Sequence, residues 1–146
     1  MSDQSSLESL FHLVHGLKRQ LHQQTEQLDL GITPMHIRVI KIIHRKKPCT
    51  AIDIASFLGR DKAQVTRLVN TLIERGFISR MPNPNDKRSH YLCPTDTGIA
   101  VIKEIIAIDA KTVQTMTEGL TSEELTEFQR ISSIMANNLH PTSDSH

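Results

Sequence analysis

Gly59 and Arg60 are all that separates two stretches with the repeat of amphipathic helices, and so short a join leaves the chain few ways to fold. In the second stretch, Asp61 to Gly76, the apolar residues Val65, Leu68, Val69, Leu72 and Ile73 gather on one side at about 100° per residue. Ala63, Gln64, Arg67, Asn70, Thr71 and Glu74 take the other side. Asp61 is placed to cap this helix with Gln64 at capping-box spacing, and Gly76 can adopt the left-handed conformation that closes it. The first stretch is shorter. Thr50 caps it, Asp53 complements the dipole in its first turn, Ile52, Ile54, Ala55 and Leu58 are its apolar residues, and Gly59 ends it. Two helices joined this tightly have the outline of a helix-turn-helix, whose second helix enters the major groove of DNA. Many helical hairpins share that outline and bind nothing, so the side chains must decide. The outer face of the second helix carries amide, hydroxyl and guanidinium groups, which match base edges, where an ordinary solvated face is richer in Glu and Lys.

The next residues add a hairpin. Phe77-Ile78-Ser79-Arg80-Met81 and Arg88-Ser89-His90-Tyr91-Leu92-Cys93 read as strands, and Pro82-Asn83-Pro84-Asn85-Asp86-Lys87 between them is dense in turn formers. Its tip brings Asp86, Lys87 and Arg88 beside the second helix. An arginine there can enter the narrow, electronegative minor groove, and Asp86 is expected to hold its guanidinium in a bidentate pair. Charge supports this. From His36 to His90 there are twelve lysines and arginines against four acids, a net of +8 in a chain whose total is +1. A basic centre between acidic flanks suits a module that meets a polyanion.

Long helices flank the module. Ser5-Ser6-Leu7-Glu8 reads as a capping box, and Leu10, Phe11, Val14, Leu17, Leu21 and Leu28 continue at helical spacing to Leu30-Gly31. A helix of about 24 residues, roughly 36 Å, overhangs a small domain, so part of its stripe is expected to meet another subunit. Thr33-Pro34 caps and starts the next helix, with Ile32 and Ile37 as a staple, and Pro48 after Arg45-Lys46-Lys47 stops it. After the hairpin, a helix from Thr95 or Asp96 to near Gly119 has Ile99, Val101, Ile102, Ile105, Ile106, Ile108 and Val113 over most of its circumference, which predicts burial on more than one side. Thr121-Ser122-Glu123-Glu124 caps a last helix with the stripe Leu125, Phe128, Ile131, Ser132, Met135 and Leu139. Residues 140–146 read as a frayed tail.

The blocks Asp61-Lys62-Ala63-Gln64-Val65-Thr66-Arg67, Leu72-x-x-x-Gly76-Phe77-Ile78-x-Arg80, Asp86-x-Arg88 and Thr95-x-x-Gly98, in this order, resemble the MarR family of bacterial winged helix-turn-helix regulators. The likeness extends over nearly the whole chain. Pro94 departs from the family's usual leucine before the threonine, and because proline cannot donate to a ladder the end of the second strand is left open. The resemblance implies a symmetric dimer, palindromic double-stranded DNA, repression, and release by a small ligand, an aromatic or phenolic effector.

The fold class expected is mainly α with a small β-wing. A winged helix-turn-helix DNA-binding module (32–94) stands between an N-terminal dimerisation helix (5–31) and C-terminal linker and dimerisation helices (95–139). Ala63, Gln64, Thr66, Arg67 and Asn70 are the candidate base readers. Thr50, Lys62 and Arg75 are the candidate phosphate contacts, and Arg88 enters the minor groove with Asp86 orienting it and Lys87 beside it. A winged-helix protein-interaction module is the alternative from another class. An enzyme is not expected, since no phosphate loop, nucleophile motif or paired carboxylates can be found. Nor is a cofactor or metal: His12, His15, His22, His36, His44 and His90 show no converging set for metal sensing. Redox sensing fares no better, since the family's peroxide sensors use a cysteine in the first helix and this helix has none, while Cys49 and Cys93 read as small reduced thiols. With no signal-like N-terminus and no apolar run of about 20 residues, the expected location is the cytoplasm.

Overall fold

The computed structural model describes residues 4–140. In chain order these form α1 (Gln4–Leu28), α2 (Pro34–Arg45), α3 (Ala51–Leu58), α4 (Lys62–Glu74), β1 (Ile78–Pro82), β2 (His90–Pro94), α5 (Asp96–Met116) and α6 (Ser122–Leu139). Two compact units result, one ending at Asp109 and the other beginning at Ala110.

Helices start where the sequence supplies an oxygen for the otherwise unsatisfied first amides. Thr33 accepts from the His36 amide, Thr50 from Asp53, Asp61 from Gln64 and Thr121 from Glu124. At Thr33, Thr50 and Thr121 the residue three positions on returns the bond to the cap amide, closing a capping box. Each such cap is worth about 1 kcal/mol. At Asp61 the forward half forms, at 2.8 Å. Gly59, with φ 64°, ends α3, and Gly76, with φ 78°, follows α4. These left-handed values suit glycine; Gly59 sets the tight join between α3 and α4, and Gly76 turns the chain from α4 toward β1.

The core lies in the first unit. Val39, Ile40 and Ile43 of α2, Ile54 of α3, Val65 and Leu72 of α4, Ile78 of β1 and Ile102 of α5 are all within it. The α2 helix is unusually rich in isoleucine and valine, which lose side-chain freedom in a helix. Packing of its buried face therefore holds it more than propensity does. The hairpin is antiparallel, with Ile78 opposite Pro94, Arg80 opposite Leu92 and Pro82 opposite His90. Both prolines sit at strand ends, where the missing donor matters least. On the other edge of β2, the Leu92 amide donates to the Cys49 carbonyl at 2.8 Å, so the segment before α3 joins the wing.

Where α5 begins, the Thr95 amide donates to the Phe77 carbonyl at 3.0 Å. Its hydroxyl donates to the Gly76 carbonyl and accepts from the Gly98 amide. A Cβ at Gly98 would lie 2.0 Å from the Phe77 carbonyl oxygen, so the helix can approach this closely because that position has no side chain. The Thr95-x-x-Gly98 pattern is thus the joint between the end of α4, the wing and α5.

Several expectations need adjusting. The first helix begins at Gln4, so Ser5, expected as its cap, is already helical; helix ends vary by a residue or two. It stops at Leu28, where Asp29 takes φ 49°, ahead of the expected Gly31. Both strands begin and end one or two residues later than expected, at Ile78–Pro82 and His90–Pro94. In the single chain α5 buries Val101, Ile102 and Ile105, while Ile99, Ile106 and Val113 stay exposed. Its apolar circumference is therefore only partly covered in the single chain. In the first unit α1 has no buried residue and exposes Leu7, Leu10, Phe11, Leu13 and Val14. In the second unit α6 has none either, and exposes Phe128, Ile131, Ile134, Met135 and Leu139. Apart from His140, which caps α6, the expected tail lies outside the described residues.

Candidate nucleic-acid interface

Five side chains of α4 point outward as a contiguous face: Lys62, Ala63, Thr66, Arg67 and Asn70 are exposed, while Val65, Val69 and Leu72 are buried. Gln64, expected on the reading face, is half-buried at its margin. Lys62, Thr66 and Asn70 line a groove of about 320 Å³ whose other wall is the wing, with Asp86 and Arg88. The outer face of α4 and the hairpin tip are thus brought together. Lys87 is exposed at the tip.

Internal hydrogen bonds determine what these groups can offer. The Thr66 hydroxyl donates to the Lys62 carbonyl at 2.8 Å, leaving its lone pairs and methyl outward. Asn70 accepts through Oδ1 from Arg80 Nη2 at 2.7 Å. The Thr50 hydroxyl accepts from the Asp53 amide at 3.2 Å, with its own proton still available to a phosphate. Asp53 returns the bond to the Thr50 amide, which, ahead of weaker help from Lys46, holds its carboxyl below the usual range.

Two expectations differ. Asp86 does not grip the Arg88 guanidinium; Oδ1 accepts from the Arg88 backbone amide at 2.9 Å. A carboxylate two residues back reaches the amide without extending the chain, the geometry of an Asx-turn, so Asp86 shapes the tip and leaves the guanidinium free to reach outward. Arg75, expected on a phosphate, lies over the α1–α2 turn: a Cβ at Gly31 would meet its Nη1 at 2.5 Å. Arg80 was not among the candidates. Its place across the strand pair from Leu92 is legible only once the hairpin register is known.

A second, larger cavity of about 760 Å³ lies among α1, α2 and α5 within the first unit. Leu21, Leu28, Ile37, Ile105 and Ile108 give it apolar walls. Lys18, Arg38, Lys41, Arg45 and Lys46 give it a basic rim against one acid, Asp109, which pairs with Lys41.

Histidines and cysteines have local roles. His22 pairs with Glu26 at 3.1 Å, and His36 Nδ1 accepts from the Thr33 amide at 3.0 Å. Among the described residues no three His, Cys, Asp or Glu side chains gather in a set that could hold a metal ion. Burial, then Asp53, pushes the Cys49 thiol up to about 11, which disfavours the reactive thiolate. No helix among the described residues is long and apolar enough to cross a membrane.

The sequence model of the MarR family matches residues 32–90, the span from the turn before α2 to the start of β2. The uncharacterized HTH-type transcriptional regulator YwhA of Bacillus subtilis is 31% identical over 124 residues, 82% of this chain and 88% of the relative. The multiple antibiotic resistance protein MarR of Escherichia coli is 29% identical over 125 residues, 84% of this chain and 85% of that one. A cysteine-to-serine mutant of the Escherichia coli MarR, solved in complex with operator DNA, is similar with a TM-score of 0.72 at 25% identity, covering 92% of this chain and 99% of that one. With the helix-turn-helix and most of the wing inside the matched residues, this chain belongs to the MarR family of DNA-binding transcriptional regulators.

Proposed function

We propose that the chain works in the cytoplasm as a homodimeric repressor, which holds a palindromic duplex and releases it when a small aromatic or phenolic acid binds. The observation that carries the DNA part is the shared groove of α4 and the wing tip. Ala63, Thr66, Arg67 and Asn70 meet base edges in the major groove, with Gln64 at their margin. Lys62 and Thr50 take phosphates, and Arg88, with Lys87 beside it, reaches the flanking minor groove from a tip shaped by Asp86. Two-fold pairing through the exposed apolar residues of α1 and α6 spaces the half-sites about one helical turn apart, roughly 34 Å. Such residues are costly to leave in water. The cavity among α1, α2 and α5, apolar inside and basic at its rim, suits an aromatic carboxylate or phenolate.

Fluorescence titration of the chain's own upstream promoter against salt tests the reading. A linear fall of log affinity with log salt is expected. Arg88→Ala weakens binding with modest loss of selectivity, and Arg67→Ala relaxes one base position by roughly 1–3 kcal/mol. If both bind as wild type at every salt concentration, the assignment fails. Sedimentation of Phe128→Glu checks the dimer, and a monomer is the expected result.

A further inference from the structure

The hydrogen bond between Arg80 and Asn70 joins the wing to the reading face of α4. It runs from Nη2 to Oδ1 at 2.7 Å. A guanidinium has five N–H donors and no acceptor, so the group facing Arg80 must be the amide oxygen. The amide nitrogen, with its two donors, is turned the other way. Reversing the amide would set N–H against N–H and lose a bond strengthened by the arginine's charge. Both side chains are exposed and both line the groove opposite Arg88, so the pair stands where a duplex would lie.

We infer that Arg80 is a positioning residue that sets base preference through Asn70, by fixing the amide so that it presents donors to the DNA. This rests on the reading of α4 as the base-contacting helix. A freely turning asparagine can place its oxygen and nitrogen together on adenine, accepting from N6 and donating to N7. Held by Arg80, Asn70 favours base edges that accept, O6 and N7 of guanine or O4 of thymine, over adenine, whose N7 acceptor stands beside the N6 donor, and over the N4 donor of cytosine. Thr66, four residues earlier on the same face, has the opposite polarity. Its proton is committed to the Lys62 carbonyl, so it accepts. The two neighbours thereby form an ordered acceptor–donor pair along the groove.

Selection from a randomised 24-base-pair duplex library, followed by sequencing, tests this with wild type, Arg80→Met, Arg80→Lys, Asn70→Ala and the Arg80→Met/Asn70→Ala double variant. Wild type is expected to select guanine or thymine at one position per half-site. Arg80→Met loses about tenfold of that discrimination there and leaves other positions unchanged. Arg80→Lys, which can still donate to Oδ1, restores most of it. The double variant discriminates no worse than Asn70→Ala, because Arg80 acts through that amide. A strut that merely holds the wing predicts a uniform loss across all sequences for Arg80→Met; that result overturns the inference. So does an Arg80→Met preference equal to wild type, or an effect at a different position from Asn70→Ala. Wild type selecting no sequence at all would sink the base-reading assignment itself, and the inference with it.

Discussion

Replacing Gly98 by alanine sets two effects of opposite sign against each other, and the structure decides between them. In a helix interior the exchange stabilises by about 1 kcal/mol, since alanine loses less backbone freedom. At Gly98 the new Cβ would stand 2.0 Å from the Phe77 carbonyl oxygen and 3.0 Å from its carbon. That is more than ~1 Å inside ordinary contact, and overpacking of this kind costs about 1–3 kcal/mol. The obstructing atom is backbone, so no side-chain rotation can relieve it. It also accepts the Thr95 amide at 3.0 Å, and moving it away stretches that bond. Taking the upper end of the cost, Gly98→Ala should destabilise by roughly 2 kcal/mol, which for a chain of this size lowers Tm by roughly 6 °C.

Gly16 provides the comparison. It too lies within a helix, and a Cβ there meets nothing within 4 Å. Gly16→Ala should therefore show the propensity gain alone, about 1 kcal/mol in the other direction. Urea titrations of both variants measure the difference, with m unchanged if compactness is preserved. Phe77 leads directly into β1, so whatever shift accommodates the clash also displaces the wing against α4. DNA affinity of Gly98→Ala should fall even at temperatures where it is fully folded. Equal stabilisation of the two variants would refute the close approach of α5 to Phe77.

Three further outcomes are expected. Burial, and secondarily the Arg75 charge, lowers the His36 pKa below 6.5. The unfolded chain then binds the proton more readily, so the contribution is present above pH 6.5 and lost as pH falls through the folded value; the urea midpoint should drop between pH 7.5 and 5, and His36→Gln, which keeps a capping side chain but does not titrate, should reduce that drop. With its thiol raised to about 11, Cys49 should have about one thiolate per thousand at pH 8, and iodoacetamide should label it at the rate of unfolding, as peptide mass spectrometry with and without urea can show. Lys41→Met removes a charge from the cavity rim, so the thermal shift given by salicylate should shrink while that of an uncharged analogue of similar size does not; equal shifts would argue against recognition of an anion.

Local chemistry was the most legible part of the chain. A cap involves residues three apart, and Thr33, Thr50, Asp61 and Thr121 all cap where their spacing places them. The positive φ of Gly59 and Gly76 was equally readable, because few other residues take that conformation without strain. What escaped were bonds whose partners depend on tertiary register or on competition. Arg80 reaches Asn70 across the turn between helix and strand. The Asp86 carboxylate had both an amide and a guanidinium of Arg88 within sequence reach, and nothing in the residue order says that the amide wins. On α5, Ile106 and Val113 are as apolar as Ile102 and Ile105, yet their own chain leaves them exposed. Periodicity reports that a face wants cover and is silent on which molecule provides it.

In the proposed reading of the cavity as an effector site, α2 is the element that connects it to α4. Arg38, Lys41, Ile42 and Arg45 of this helix line the cavity, while Val39, Ile40 and Ile43 of the same helix are fully buried in the core that also holds Val65 and Leu72 of α4. Close-packed interiors transmit displacement instead of absorbing it, so α2 cannot adjust to a ligand without pressing on the recognition helix. A ligand shifts the balance only by its difference in affinity for the two placements of α2. A tenfold loss of DNA affinity therefore requires a preference of about 1.4 kcal/mol, the order of one well-made hydrogen bond to a charged group. The ion pair of Lys41 with Asp109 is where such a difference can arise. A carboxylate effector of the proposed kind would compete with Asp109 for the same ammonium, and so would act on the contact between α2 and α5.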